Sequence, residues 1–269
     1  MLIFLHNWPY SKLMTAMIYD GTYQGWLTAI FDSYEYKMND VCFLKGETAA
    51  IPLFATAHYV VTDEVKARRV IKGLKLRLSA EGLNNLYKVY LSEEEKSEEM
   101  MCRFVRYVFT SKENIEQNFS NSAVWDVKKL AKKVKREAHR MEAFVRFKLT
   151  KDNLFYAIIE PDHNVLPLVA GHFKGRYADQ RWLIYDAKRK YGIYYDLETL
   201  STVELEFRLG PASAKGITEI CDEREAFFQE LWRKYFSSVN IKARNNMRLH
   251  IQHMPKRYWK YLPEKMPEI

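Results

Sequence analysis

The sequence predicts an α+β protein, with a mainly helical N-terminal part packed on an antiparallel β-β-α-β-β module that is followed by C-terminal helices. Three observations carry this prediction. Apolar residues recur every three or four positions over most of the stretch up to residue 141. The period then changes to alternating or continuous short apolar runs. Those runs come in two pairs, each joined by a polar turn, with one helical segment between the pairs.

Taken in order, "MIYD" at 17–20 reads as a short strand, and Gly21 and Thr22 as a turn and helix cap. The helix that follows shows Trp26, Leu27, Ile30, Phe31 and Tyr34 at the spacing of a buried stripe. A strand feeding a helix through Asp20-Gly21-Thr22 offers backbone N–H groups to a phosphate, but one glycine is too little for a phosphate loop, and a plain turn is the simpler reading. Residues 38–62 look irregular apart from a strand at "ATAHYVVT". Asp63 then caps the helix "EVKARRVIKGLKLRL". Helices are expected at about 80–91 and 95–110, with the acidic patch "SEEEKSEE" read as a solvated helix start. A longer helix runs from about Ser122 to Met141, burying Val127, Leu130, Ala131, Val134, Ala138 and Met141 on one face.

From 143 onward, "AFVRFKLT" and "LFYAIIE" form a hairpin around Lys151-Asp152-Asn153, and "WLIYD" and "GIYYD" form a second around residues 187–190. The helix "LPLVAGHFKGRYA" lies between them. A further strand is possible at "VELEFR", Asp222 caps a helix through about Ser237, and one or two short helices close the chain. There is no internal repeat. The expected division is an extension at 1–16, a mainly helical subregion at 17–141 and an α+β subregion at 142–269, or one continuous domain.

With 269 residues and 48% apolar content the chain has ample material for a core. No apolar run approaches the roughly 18 to 20 residues of a membrane-spanning helix, so a soluble protein without a membrane partner is expected. The start "MLIFLHNWPY" lacks the basic flank and cleavage site of a secretory signal. Cys42, Cys102 and Cys221 are odd in number and scattered, which speaks against a disulfide framework or a cysteine-held metal and for a reducing cytoplasm. No cofactor is implied.

The net charge of +8 is concentrated in two places. Residues 128–140 hold seven Lys or Arg against Glu137, and residues 240–262 hold six with no acid, which leaves the rest of the chain slightly acidic. Concentrated positive charge is what binding to a phosphate backbone exploits. The expected nucleic-acid contacts are Lys128, Lys129, Lys132, Lys133 and Arg136 in the helix, and Lys242, Arg244, Arg248, Lys256 and Arg257 near the C-terminus. Seven cations in thirteen residues repel one another unless nucleic acid or an acidic protein neutralises them. Tyr258, Trp259 and Tyr261 either stack bases or dock on the core, where Trp259, Leu262 and Met254 are expected to be buried.

Chemically dense residues run from His139 to Asp186. His139, Arg146, Glu160, His172, Arg176 and Asp186 are the candidates for a catalytic site, with a carboxylate and a His as base and acid and arginines on phosphate oxygens. His172, Arg176 and Asp179 are spaced to share one helix face, where Asp179 orients Arg176. Glu160 and His163 have the chemistry to begin a metal site, but no HExxH, paired CxxC or Walker motif is present, and no metal ligand is assigned.

The stretches "YDGTYQGWLTAIFDSYE", "REAHRMEAFVRF", "IEPDHNVLPLVAGHFKGRYADQRWLIYD", "GIYYD" and "RNNMRLHIQHMPKRYWKYLPE" together resemble a bacterial family of uncharacterised proteins labelled probable DNA metabolism proteins. The resemblance covers about residues 17–265, so Met14 or Met17 is an alternative start. It implies a setting in DNA repair or modification. Members are typically encoded beside a radical-SAM protein, the implied partner, and some are fused to a uracil-DNA-glycosylase-like domain, which makes such a protein a further implied partner. This chain lacks the CxxxCxxC signature of the radical enzyme and anything like the glycosylase motifs. The motif residues that carry over are Tyr19, Asp20, Gly21, His139, Arg146, Glu160, Pro161, His172, Phe173, Arg176, Trp182, Asp186, Arg244, Pro255, Arg257 and Trp259. The leading expectation is a DNA-binding accessory protein, with a nucleic-acid enzyme and a protein–protein scaffold as alternatives.

Overall fold

The computed structural model describes residues 14–46, 50–204, 230–232, 234 and 246–265. The chain forms two compact units, residues 1–133 and 134–269, and the division falls inside one long helix.

In the first unit, β1 (Thr15–Tyr19) is the middle strand of a three-stranded sheet between β2 (Val41–Lys45) and β3 (Thr56–Tyr59), both parallel to it. The region is mainly helical as expected, and the strands read at 17–20 and in "ATAHYVVT" pair, with β2 added, into a small parallel sheet. β2 falls in the stretch read as irregular, because "VCFLK" is too short to show a period. Helix α1 (Tyr23–Glu35) starts where Thr22 accepts a hydrogen bond from the Gly25 N–H at 2.9 Å. It buries Trp26, Leu27, Ala29 and Ile30. Asp63 caps α2 (Glu64–Lys75) by accepting from the N–H groups of Val65 and Lys66. Helices α3 (Ala80–Ser92) and α4 (Ser97–Thr110) follow, with Ser79 capping α3.

The acidic patch is not simply solvated. Glu98 is buried, accepts a hydrogen bond from Tyr19 at 3.2 Å and pairs with Lys45, while Glu99 accepts from the Phe43 N–H at 3.0 Å. Two of its carboxylates thus tie α4 to β1 and β2.

Helix α5 (Ser122–Phe144) is longer than its apolar stripe suggested. Phe144 and Val145 continue the stripe of Met141 at i+3 and i+4, so the helix persists where an alternating strand was expected. Strand β4 is consequently only Lys148–Leu149. Val127, Leu130 and Ala131 belong to the core of the first unit, and Val134, Ala138 and Met141 to that of the second.

The second unit has a five-stranded sheet in sequential order: β4, β5 (Phe155–Ile159), β6 (Trp182–Asp186), β7 (Tyr191–Tyr195) and β8 (Leu200–Glu204). Both hairpins are antiparallel as expected, but β5 pairs with β6 in parallel, so the module is mixed rather than purely antiparallel. The reason is α6 (Leu166–Arg176), which carries the chain back along the sheet between β5 and β6, as a parallel crossover requires. Trp182, Ile184, Phe173, Val169 and Leu166 fill the core beneath it. Of the expected strand "VELEFR", only Val203 and Glu204 lie among the described residues, at the end of β8. The helix capped by Asp222 lies outside them except for Glu230–Trp232 and Lys234. After α7 (Met247–His253), a 3-10 helix (Lys256–Tyr261) and a 3-10 turn (Pro263–Lys265) follow.

Candidate functional site

The carboxyl ends of β5 and β6 lie side by side, with Ile159 paired to Asp186. Parallel strand ends are where α/β sheets gather polar side chains, and polar groups collect here as well. Glu137 of α5 is 3% exposed and accepts four hydrogen bonds: from the N–H groups of Asp162 (3.0 Å) and His163 (2.8 Å), from Arg257 (3.1 Å) and from the Tyr258 hydroxyl. Burial pushes its carboxyl up, but the bonds from Tyr258, Asp162 and His163 outweigh burial and hold it below the ordinary glutamate value. Arg257 also pairs with Asp162 at 2.8 Å and lies over the Tyr258 ring. One carboxylate thus joins α5, the loop after β5 and the C-terminal 3-10 helix.

Beside it, Glu160 accepts from Lys260 and from the Tyr261 hydroxyl, and these bonds depress its carboxyl. Asp186 has no solvent exposure, and burial raises its carboxyl despite an ion pair with Arg189 at 2.8 Å. It also accepts from the N–H groups of Lys188 and Arg189, which closes the β6–β7 turn. Lys188 and Arg189 both donate to the Asp162 carbonyl, so the two loops are fastened to each other.

The six proposed catalytic residues do not form one constellation. No hydrogen bond or ion pair joins any two of them. His139 is exposed and, among the described residues, meets only Glu142 at 3.1 Å. Arg146 pairs at 2.9 Å with Glu264, whose side chain is closed off from solvent, and lies over the Trp232 ring. Glu160 and Asp186 have the partners just described. His172 and Arg176 lie exposed on α6, where His172 meets the edge of Phe173 and Arg176 lies over Tyr177. Helix α6 ends at Arg176, so Asp179 is off the face it was expected to share, and Tyr177 takes the place expected for it. In the Asp20-Gly21-Thr22 turn the Thr22 amide is engaged: Asp20 accepts from the Thr22 N–H and hydroxyl and from the Thr62 hydroxyl. Among the described residues no group of three or more His, Cys, Asp and Glu is arranged to hold a metal ion.

The basic residues sort differently. On α5, Lys129, Lys132, Lys135 and Arg136 are exposed and, among the described residues, have no carboxylate partner. Lys133 pairs with Glu94 at 3.0 Å, Lys128 lies over the Phe119 ring, and Arg140 donates to the Gln252 carbonyl. Near the C-terminus, Arg248 and Lys256 are exposed, Arg257 is committed to Glu137 and Asp162, and Lys242 and Arg244 lie outside the described residues.

The C-terminal aromatics each have partners within the protein. Tyr258 is 2% exposed, Trp259 is half-buried between Lys256 and Lys265 and donates to the Met254 carbonyl, and Tyr261 is bound to Glu160. Leu262 is fully buried as expected, whereas Trp259 and Met254 are only half-buried. Two residues that matter were not singled out from the sequence. Glu137 was counted only as the lone acid of a basic run, although it lies at i+3 from Val134 and i−4 from Met141, on the apolar stripe. Trp125 projects from the polar side of α5 with 52% exposure.

Residues 95–264 match a sequence family described as a domain of unknown function, DUF4130. No curated protein and no solved structure matches the chain. Among the described residues no helix is long and apolar enough to cross a membrane.

Proposed function

The chain belongs to the DUF4130 family, and on that footing we propose that it binds nucleic acid through the exposed cations of α5, as an accessory protein of DNA repair or modification in the cytoplasm. The observation that carries the reading is the state of Lys129, Lys132, Lys135 and Arg136: exposed, neighbours at three- and four-residue spacing, and without a carboxylate partner among the described residues. Like charges at these spacings each cost about 0.2–0.5 kcal/mol. A folded chain that keeps them loses stability for no internal gain, and phosphates are the ligand that recovers it.

The resemblance to DNA metabolism proteins supplies the setting and the radical-SAM partner. The C-terminal segment contributes Arg248 and Lys256, while Arg257 serves the Glu137 hub. An enzyme built on His139, Arg146, Glu160, His172, Arg176 and Asp186 gains no support, since each is held by different neighbours.

The test is binding of a short labelled DNA by anisotropy across a salt series. Neutralising Z phosphates gives a slope of log K against log salt of about −0.9Z on duplex and −0.7Z on single strands. The reading expects the four cations to contribute a slope of about −3.6 on duplex and about −2.8 on single strands, and loss of most affinity when Lys129, Lys132, Lys135 and Arg136 are changed to Glu. Binding that is flat in salt, or unchanged by the four substitutions, contradicts it. Capture of a radical-SAM protein in nuclease-treated material with no DNA affinity points instead to the scaffold reading.

A further inference from the structure

The basic face of α5 carries one feature that charge does not explain. At 3.6 residues per turn, Trp125, Lys129 and Lys132 stand at i, i+4 and i+7 and lie within about 60° of arc. The buried side chains of this part of the helix, Val124, Val127, Leu130 and Ala131, centre on the opposite side. Trp125 is thus in the middle of the solvent face, 52% exposed. Among the described residues its ring stacks on no aromatic, meets no cation and shares no hydrogen bond. Among the described residues nothing calls for an indole there, since tryptophan is ordinarily well buried and uses its N–H.

We propose that Trp125, Lys129 and Lys132 form a recognition stripe for single-stranded nucleic acid, with an unpaired base stacked on the Trp125 indole and the adjoining phosphates held by Lys129 and Lys132. The proposal rests on the reading of α5 as a nucleic-acid surface and adds the strand preference. Lys129 and Lys132 lie about 6 Å and 10 Å along the helix axis from Trp125, so one extended strand can follow the stripe past all three. An aromatic platform beside a track of unpaired cations is the arrangement by which proteins hold single strands without reading sequence. A duplex offers the same phosphates but keeps its base faces covered by neighbouring pairs, leaving only groove edges. An indole gains a base face only from an unpaired nucleotide. Acidic peptides would satisfy the lysines and leave the indole unused.

The experiment compares three labelled probes at fixed salt: an oligothymidylate of about 12 nucleotides, within the usual site sizes, the same strand paired with its complement, and an abasic strand of equal length. Wild-type protein should bind the single strand most tightly. Trp125→Ala should weaken that binding by about fivefold to a hundredfold, the range for losing one stacked base, and leave the duplex and abasic strands within about twofold. Trp125→Phe should keep most of the affinity. The K129E/K132E double variant should weaken all three probes. If Trp125→Ala leaves the single strand unchanged, or weakens all probes equally, the stripe is overturned. In that case K129E/K132E separates the two ideas: loss of salt-sensitive binding preserves α5 as a phosphate surface, and indifference to both variants removes both. Polyglutamate bound as tightly as the strand, regardless of Trp125, also overturns the stripe.

Discussion

Lys132→Glu gives the sharpest test of why α5 carries its charge. Lys132 is exposed, and its four neighbours at i−4, i−3, i+3 and i+4 are Lys128, Lys129, Lys135 and Arg136, all cations. In the wild-type helix every one of these pairs is repulsive, at about 0.2–0.5 kcal/mol each. Glutamate converts all four to attraction, so the gain comes to about 1.5–4 kcal/mol before screening. Exposure and salt reduce this to about 1–2 kcal/mol at moderate ionic strength. Lys129, Lys135 and Arg136 have no carboxylate partner among the described residues, so the new acid takes them from no existing ion pair. The assay is urea denaturation followed by circular dichroism at low and high salt. Lys132→Glu should raise the midpoint, more so at low salt, while weakening DNA binding by about tenfold, the loss of one or two phosphate contacts replaced by a repulsion. A stability bought at the expense of binding is the signature of a surface kept for a ligand. An unchanged or lowered midpoint would refute the reasoning, because it would mean the cations are already neutralised within the protein.

Glu137→Gln should lower the thermal midpoint of the second unit's transition by about 8–12 °C, as read by differential scanning calorimetry. All four partners of Glu137 are donors, so the amide NH2 must face one of them, and a buried donor left unmatched costs about 2–3 kcal/mol. Acid should destabilise the same unit. Glu137, Glu160 and Glu264 are held below their ordinary value of 4.5, so their contribution is complete above that pH and lost as pH falls through the depressed values. Midpoints measured from pH 7 downward should fall steeply below about 4.5, less so in Glu137→Gln. Arg146→Ala removes the ion-pair partner of the closed-off Glu264 carboxylate, and denaturant unfolding should register a loss of about 2–4 kcal/mol, whereas Arg146→Lys should recover part of it. Gly25→Ala would place a Cβ 2.1 Å from Asp20 Oδ1, displacing the carboxylate from Thr22 and Thr62. The first unit should lose about 1–3 kcal/mol on denaturation, and an unchanged midpoint would contradict the packing described for this turn.

Much of the fold was legible because the signals were local. Asp63 and Thr22 cap where side-chain oxygens precede apolar periodicity, and both hairpins turn at the polar residues between paired strands. What escaped was set by distant partners. The strand character of "VCFLK" depends on pairing with β1, and the parallel join of β5 to β6 depends on where α6 returns the chain. The end of α6 at Arg176 took Asp179 from the face its spacing promised. Phe144 fits a helical stripe and a strand equally well, and packing decided for the helix. The candidate site was legible as charge but not as commitment. Composition counted Arg257 among the cations free for nucleic acid, while Glu137, an acid on an apolar stripe, holds it. The same reading passed over Trp125, which stands out only once its face is known to be opposite the core.

The central claim is that α5 is a phosphate-binding surface, and the stepwise salt dependence of DNA affinity tests it most directly. Lys129→Gln, Lys132→Gln, Lys135→Gln and Arg136→Gln, added one at a time, should each flatten the slope of log K against log salt by somewhat under one unit on a short duplex. Affinity should fall at every step. A slope that stays constant through all four substitutions would contradict the account.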